Sequence, residues 1–192
     1  MRIVGGRFKG RALAAPKGRN TRPTSDRARE AMFNVLAHSE WAPELEDARV
    51  IDLFAGSGAL GLEAMSRGAG FCLFVETEAA ARGAIRDNID ALQLFGHTRL
   101  HRRDATAMGE KPANLGAPFD LVFLDPPYGK GLGEQCLDRL VSGGWVNENS
   151  VAVLEVGFDE APETPGWDTH VIKDYRATKI LFLKPESSGT MY

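Results

Sequence analysis

The residues best equipped for chemistry are Asp125, Pro126, Pro127 and Tyr128, which follow the apolar run Val122-Phe123-Leu124 and precede Gly129. Neither proline can donate to a β-ladder, so the strand must end there. Pro127 also holds Pro126 in an extended conformation. The carbonyls of Asp125 and Pro126 are left without strand partners, beside a carboxylate and a flat ring. Acceptors on one side and a stacking face on the other suit a planar group that carries an NH2. The carboxyl end of a strand is also where open α/β sheets take their ligands.

A second cluster lies upstream. Arg49-Val50-Ile51-Asp52-Leu53-Phe54 reads as a strand, Ala55-Gly56-Ser57-Gly58-Ala59-Leu60-Gly61 as a glycine turn, and Leu62, Ala64 and Met65 as the start of a helix. Glycines at such a turn let the backbone approach a ligand closely. Gly56-x-Gly58-x-x-Gly61 fits the dinucleotide fingerprint, which is weak evidence by itself. The next apolar run, Phe71 to Val75, ends in Glu76, twenty residues after Gly56. An acid there is placed to accept hydrogen bonds from ribose hydroxyls. Asp104-Ala105 puts another carboxylate at a strand end, to meet an adenine amino group or to cap the following turn. Asp52 either organises the glycine loop or meets an amino group of the ligand.

Charge supplies a third signal. The chain of 192 residues has a net charge of −3, yet residues 1–30 hold nine cations against two acids. That segment is therefore +7 and the remainder −10. A basic arm on an acidic body points to a polyanionic partner. The candidates for nucleic-acid contact are Arg2, Arg7, Lys9, Arg11, Arg22, Arg27 and Arg29, with Thr24 among them. Ile3-Val4-Gly5-Gly6, Phe8 and Leu13 suggest a short hairpin within the arm, and removing residues 1–24 is expected to spare the fold.

Several classes drop out on composition. Hydrophobic content of 43% and charged content of 26% fit one soluble globular unit. No apolar run approaches the ~20 residues of a membrane span, and Met1 to Gly6 lacks the apolar stretch of a signal peptide. Cys72 and Cys136 match no metal or redox spacing, so reduced thiols in a cytoplasmic protein are expected. His38, His97, His101 and His170 are scattered and suggest no metal site.

The elements that must carry these groups follow from periodicity. After Pro23, Thr24 or Ser25 caps a helix whose buried face is read as Ala28, Ala31, Met32, Val35 and Leu36, with Arg27 and Arg29 pointing elsewhere. Ser39 to Ala48 reads as a linker. Helices are expected at about Glu78–Leu92 and Leu132–Val141, and strands at Thr98–Arg102, Phe119–Leu124 and Val151–Val156, where Glu155 is given only a structural part. Strands alternating with helices over residues 49–156 imply a parallel sheet covered on both faces. The β runs His170–Tyr175 and Thr178–Leu183 are joined too tightly for a crossover helix, so they should pair antiparallel at one edge. The expected organisation is a basic extension over 1–40, a Rossmann-like unit over 41–184 and a frayed tail over 185–192.

A dehydrogenase would explain the glycines and Glu76 but would give no use to Asp-Pro-Pro-Tyr or to the arm. A methyl donor bearing adenosine accounts for all of them. Asp52-Leu53-Phe54-Ala55-Gly56-Ser57-Gly58 and Asp125-Pro126-Pro127-Tyr128 resemble the cofactor and catalytic motifs of S-adenosylmethionine-dependent amino-methyltransferases. More closely, Arg2-Ile3-Val4-Gly5-Gly6, Arg22-Pro23-Thr24-Ser25-Asp26-Arg27-Ala28-Arg29-Glu30 and Gly58-Ala59-Leu60-Gly61-Leu62-Glu63-Ala64 resemble the RsmD family, over nearly the whole chain to about Lys184. Departures are Tyr128, where relatives often have Phe, and Cys72.

The resemblance implies a class I Rossmann-like fold of seven strands with the last pair reversed. It further implies methyl transfer to the exocyclic N2 of a guanine in small-subunit ribosomal RNA. Asp125 and the Pro126 carbonyl would accept the amine hydrogens and Tyr128 would stack on the base. Phe54, Ala55, Gly56 and Gly58 would surround the methionine moiety, Glu76 the ribose, and Asp104 and Ala105 the adenine. The partner would be ribosomal RNA or an assembling small subunit, with no metal and no membrane, and the protein a monomer. Adenine in DNA and protein glutamine are the alternative amine substrates, and a non-catalytic RNA-binding role is the alternative class.

Overall fold

A computed structural model describes residues 1–18 and 24–187 of the chain. Its centre is a run of short strands, β1 (Arg49–Leu53), β2 (Phe71–Val75), β3 (Thr98–His101), β4 (Leu121–Leu124) and β5 (Val151–Gly157), buried on both faces except for the edge strand β3, where only Thr98 is buried. All five run parallel, joined by crossover connections rather than hairpins. β6 (Trp167–Tyr175) and β7 (Thr178–Pro185) form the reversed hairpin. The order across the sheet is β3-β2-β1-β4-β5-β7-β6. The hairpin therefore inserts β7 beside β5 and leaves β6 at the edge.

Period-two alternation divides the core into two layers. Val50, Cys72, Phe74, Leu121, Phe123, Val151 and Val153 face one way, against α1 (Asp26–Ala37), α2 (Ala59–Ser66) and α3 (Ala79–Ala91). Ile51, Leu73, Val75, Val122, Leu124, Ala152 and Leu154 face the other, against α4 (Leu132–Ser142) and Trp145.

The chain leaves β1 towards β2 on one side, while β4 pairs with β1 on the other. β1 and β4 thus flank a topological switch point, and their carboxyl ends open a crevice. The register sets Leu53 opposite both Val75 and Leu124. The residues that follow those positions, Phe54, Glu76 and Asp125, are therefore brought to one edge.

The N-terminal segment departs from expectation. Its hairpin is present as a bridge between Arg2 and Ala12, but the segment is built into the body. Ile3 is fully buried and Leu13 nearly so, both in the layer under α1 to α3. The Val4 amide donates to the buried Glu63 at 3.0 Å, the Phe8 amide to Ser66 Oγ at 2.9 Å and the Ala14 amide to Asn88 Oδ1 at 2.7 Å. Removing these residues would uncover apolar surface and strand the buried acceptors, so the expectation that the arm is dispensable for folding is corrected.

Three smaller differences share a physical cause, which is packing between distant segments. Arg29, read as outward, is 1% exposed. Its guanidinium pairs with Asp26 at 2.8 Å and donates to the carbonyls of Arg2 and Thr24. The buried face of α1 is accordingly Arg29, Met32, Phe33 and Leu36, rotated from the apolar stripe. The stretch 39–48 is no free linker, since Trp41, Ala42 and Leu45 pack on the core. The Trp41 ring lies 5.3 Å from that of His170 and 6.0 Å from that of Phe182. Arg22 and residues 188–192 of the expected tail lie outside the described residues.

Candidate active site

Each carboxylate at the crevice does local work that the chain dictates. Helix α2 starts at Gly58 with no side-chain cap, so its first amides need other acceptors. Asp52, buried in β1, supplies one: Oδ2 accepts the Gly61 amide at 2.9 Å. Of the two readings left open for Asp52, this is the loop-organising one. Burial raises its carboxyl pKa to about 8, with the Gly61 bond opposing that rise and the Glu76 charge adding to it.

Glu76, at the end of β2, closes the loop from the other side. Its Oε2 accepts the Gly56 amide at 2.8 Å and its Oε1 the Glu78 amide at 2.9 Å. The loop so held requires positive φ at Gly56 (59°) and Gly58 (79°), and imposes 57° on Phe54, an uncommon value for a residue with a side chain. A Cβ added at Gly56 would meet nothing within 4 Å, so this glycine borders open space. A Cβ on Gly61 would lie 2.5 Å from the Phe74 ring and 2.6 Å from Cys72 Sγ. The third glycine of the fingerprint therefore seats α2 on the sheet rather than touching a ligand. Asn88 anchors the loop from α3, donating to the carbonyls of Ser57 (3.0 Å) and Ala14 (3.1 Å).

Across the switch point, Asp125 follows β4 and is partly buried, and Pro126 is buried. Burial pushes the Asp125 carboxyl well above the usual carboxylate range, and the charges of Glu155 and Asp52 push it in the same direction. Tyr128 leaves 46% of its surface open, while its hydroxyl donates to Glu155 Oε1 at 2.7 Å. Burial and that bond hold the phenol protonated. The Gly129 amide donates to Glu160 Oε1 at 2.8 Å, which pins the residue after the ring.

Asp104 is exposed, and its Oδ1 accepts both the amide and the hydroxyl of Thr106, at 2.8 and 2.7 Å. It caps the short 3-10 turn Ala105–Ala107, one of the two roles left open for it. Ala105 is buried beneath it and Ala55 sits nearly buried in the glycine loop. Among the described residues no group of three His, Cys, Asp or Glu side chains could hold a metal ion, and no helix is long and apolar enough to cross a membrane.

Of the cations in the N-terminal segment, Arg2, Arg7, Lys9, Arg11 and Arg27 are exposed. Arg29 is not, and Thr24 is turned inward, its hydroxyl donating to Glu155 Oε2 at 2.8 Å. Glu155 is thus the residue that sequence reasoning undervalued. The available signal was a lone carboxylate inside an apolar strand, because such a group is rarely buried without partners.

Seven strands in this order, with a glycine loop after β1, an acid after β2 and Asp-Pro-Pro-Tyr after β4, make the class I methyltransferase fold. The solved structure of the yhhF protein from Escherichia coli superposes with a TM-score of 0.83 at 34% identity. That match covers 97% of this chain and 98% of the other. A family model described as conserved hypothetical protein 95 matches residues 1–184. Ribosomal RNA small subunit methyltransferase D of Escherichia coli is 37% identical over 172 residues, covering 88% of this chain and 82% of that one. Its Haemophilus influenzae counterpart is 32% identical over 166 residues, covering 86% and 83%. The chain belongs to this family, the RsmD methyltransferases, and its methyl donor is S-adenosylmethionine.

Proposed function

We propose that this enzyme methylates the exocyclic N2 of a guanine in small-subunit ribosomal RNA, in the cytoplasm and as a monomer. The observation that carries the reading is the pairing, at one crevice, of the Gly56 opening with the partly buried Asp125 and half-open Tyr128. The relatives named for ribosomal RNA methylation support the choice of substrate.

A guanine N2 lone pair is delocalised into its ring and is a poor nucleophile. Asp125, with the Pro126 carbonyl, accepts the two amine hydrogens and localises that pair on nitrogen. These acceptors act most where positive charge develops, which is in the transition state. Tyr128 stacks on the base and fixes its plane, and Pro127 keeps the loop stiff. Bound S-adenosylmethionine supplies a methyl carbon activated by its sulfonium. Gly56 and Gly58, flanked by Phe54 and Ala55, make room for its methionine end, and the remaining lone pairs of Glu76 take the ribose hydroxyls. Asp104 and Ala105 would border the adenine, with the Asp104 carboxylate as the acceptor for its amino group. Proximity between two bound reactants accounts for up to about 7–11 kcal/mol in ideal cases.

A base inside a stack is out of reach, so the guanine is single-stranded or flipped. The RNA-facing surface draws on residues 1–40, with Arg2, Arg7, Lys9, Arg11, Arg22 and Arg27 as phosphate contacts, and methyl transfer on residues 41–184. The test uses small-subunit ribosomal RNA, naked and within subunits, from a strain lacking its own family member. With labelled S-adenosylmethionine, one N2-methylguanine should appear by mass mapping of nuclease fragments. Label on adenine, or none on either RNA form, would overturn the reading.

A further inference from the structure

Glu155 stands on β5 between Leu154 and Val156, its Cα opposite Ile180 of β7, with 5% of its surface exposed. Both oxygens are engaged across long stretches of chain: Oε1 by the Tyr128 hydroxyl at 2.7 Å and Oε2 by the Thr24 hydroxyl at 2.8 Å. Both lengths are those of well-formed hydroxyl-to-oxygen hydrogen bonds. Tyr128 is therefore tethered at the tip of its ring and, through the Gly129 amide on Glu160, next to its backbone, while much of its surface stays open. An aromatic platform held at both ends loses little freedom when a base settles on it, which is the advantage of preorganisation.

The other end of the tether leads into the N-terminal segment. Thr24 precedes Ser25, the N-cap of α1. Its carbonyl accepts Arg29, whose guanidinium also binds the Arg2 carbonyl and the Asp26 carboxylate. Arg2 belongs to the hairpin that carries the exposed cations. Hairpin, helix start and catalytic loop are thus joined through one hydrogen-bonded frame with Glu155 in the middle.

We infer that Glu155 is a positioning residue: it holds the Tyr128 ring in place for the target base and makes that hold depend on the docked N-terminal segment. This rests on the reading of Tyr128 as the stacking residue. Two hydroxyl donors converge on Glu155, so a glutamine can still serve both, its oxygen accepting from one while its amide donates to the other.

The test compares full-length wild type with Glu155→Ala, Glu155→Gln, Tyr128→Phe, Thr24→Val and the Glu155→Ala/Tyr128→Phe double variant. Wild-type methylation of the ribosomal RNA is the control for the functional reading and fails or succeeds independently of the variants. Glu155→Ala should slow single-turnover methylation by about tenfold or more, with calorimetric S-adenosylmethionine affinity within about twofold. Glu155→Gln should recover most of the rate. The double variant should be no slower than Glu155→Ala, because both remove one interaction. Hydrogen exchange of a peptide spanning residues 126–130 should accelerate in Glu155→Ala and Thr24→Val and return towards wild type in Glu155→Gln, with or without RNA. Unchanged exchange, additive rate losses, or equal loss of rate and cofactor affinity without rescue by glutamine would each overturn the inference. If Glu155→Ala does not fold, loop exchange and turnover in Thr24→Val decide it: faster exchange with slower turnover supports the tether, and wild-type values of both defeat it.

Discussion

Glu76 and Gly56, at the ends of adjacent strands, are joined by a 2.8 Å hydrogen bond from the glycine amide to Oε2 of the acid. The acid assigned to the ribose therefore also shapes the loop assigned to the methionine end. Glu76→Ala should weaken S-adenosylmethionine by about 1–3 kcal/mol, the range for losing a charged hydrogen-bond partner. Titration calorimetry at constant salt checks this, and an unchanged affinity would place the ribose elsewhere.

Asp125→Ala should leave cofactor affinity within a few-fold while methyl transfer falls by about 10²–10³, the scale for one transition-state partner. Single-turnover rates with saturating RNA measure it, and near-normal turnover would remove Asp125 from the role of amine acceptor. The same residue sets a pH dependence. Ionised Asp125 is the stronger acceptor, and burial, followed by the Glu155 charge, raises its pKa. The acid limb of the rate should therefore lie above the ordinary carboxylate range of about 4, with activity rising as pH rises through it. A rate that stays flat down to pH 4 would contradict this.

Asp52 supplies a stability test without substrate. Its folded pKa of about 8 lies above the unfolded value of 3.8, so the folded state binds the proton more tightly. Its contribution to stability is then greatest at low pH and declines as pH rises from about 4 to 8. Asp52→Asn keeps an oxygen for the Gly61 amide and cannot ionise. Melting of the cofactor-free protein should show the variant gaining on wild type as pH rises through that window. A constant difference would mean that Asp52 is not buried as a neutral acid.

The exposed cations should act on RNA without touching the fold. Reversing Arg7, Lys9 and Arg27 together should weaken RNA binding and flatten its salt dependence. Each lost phosphate contact changes the slope of log K against log salt by about 0.7. Cofactor affinity and melting temperature should stay near wild type. A salt slope equal to that of wild type would leave these side chains as solvated surface.

Ile3, by contrast, is core. Ile3→Ala should cost about 2–5 kcal/mol of stability, and deletion of residues 1–14 should abolish cooperative melting. Denaturant titration decides, and a loss below about 0.5 kcal/mol would make the hairpin an accessory after all.

What could be read from the sequence was whatever short stretches of chain decide. Two prolines after an apolar run end a strand wherever they occur, and glycines at positive φ mark a loop whatever surrounds it. A parallel sheet followed from strand and helix alternation, but the strand order that puts the switch point between β1 and β4 did not. What escaped was set by partners far along the chain. Arg29 reads as polar surface because its acceptors, the carbonyls of Arg2 and Thr24, come from a hairpin and a helix start whose docking on each other periodicity does not give. Glu155 reads as an oddity in a strand until the chain folds Tyr128 and Thr24 onto it from 27 and 131 residues away. Asp104 was undecided because capping a turn and meeting an amino group ask for the same carboxylate.

The bond between Thr24 and Glu155 also has a meaning in time. The hairpin's partners emerge later, at Glu63, Ser66 and Asn88, and Thr24 waits longest, for a residue made 131 positions afterwards. At roughly 5–20 residues per second of synthesis, that interval is on the order of ten seconds. During it Glu63, Ser66 and Asn88 become available to the basic segment, but its clamp on the loop does not. Long-range closures of this kind slow folding, and here the Thr24 closure completes only once most of the chain has been made.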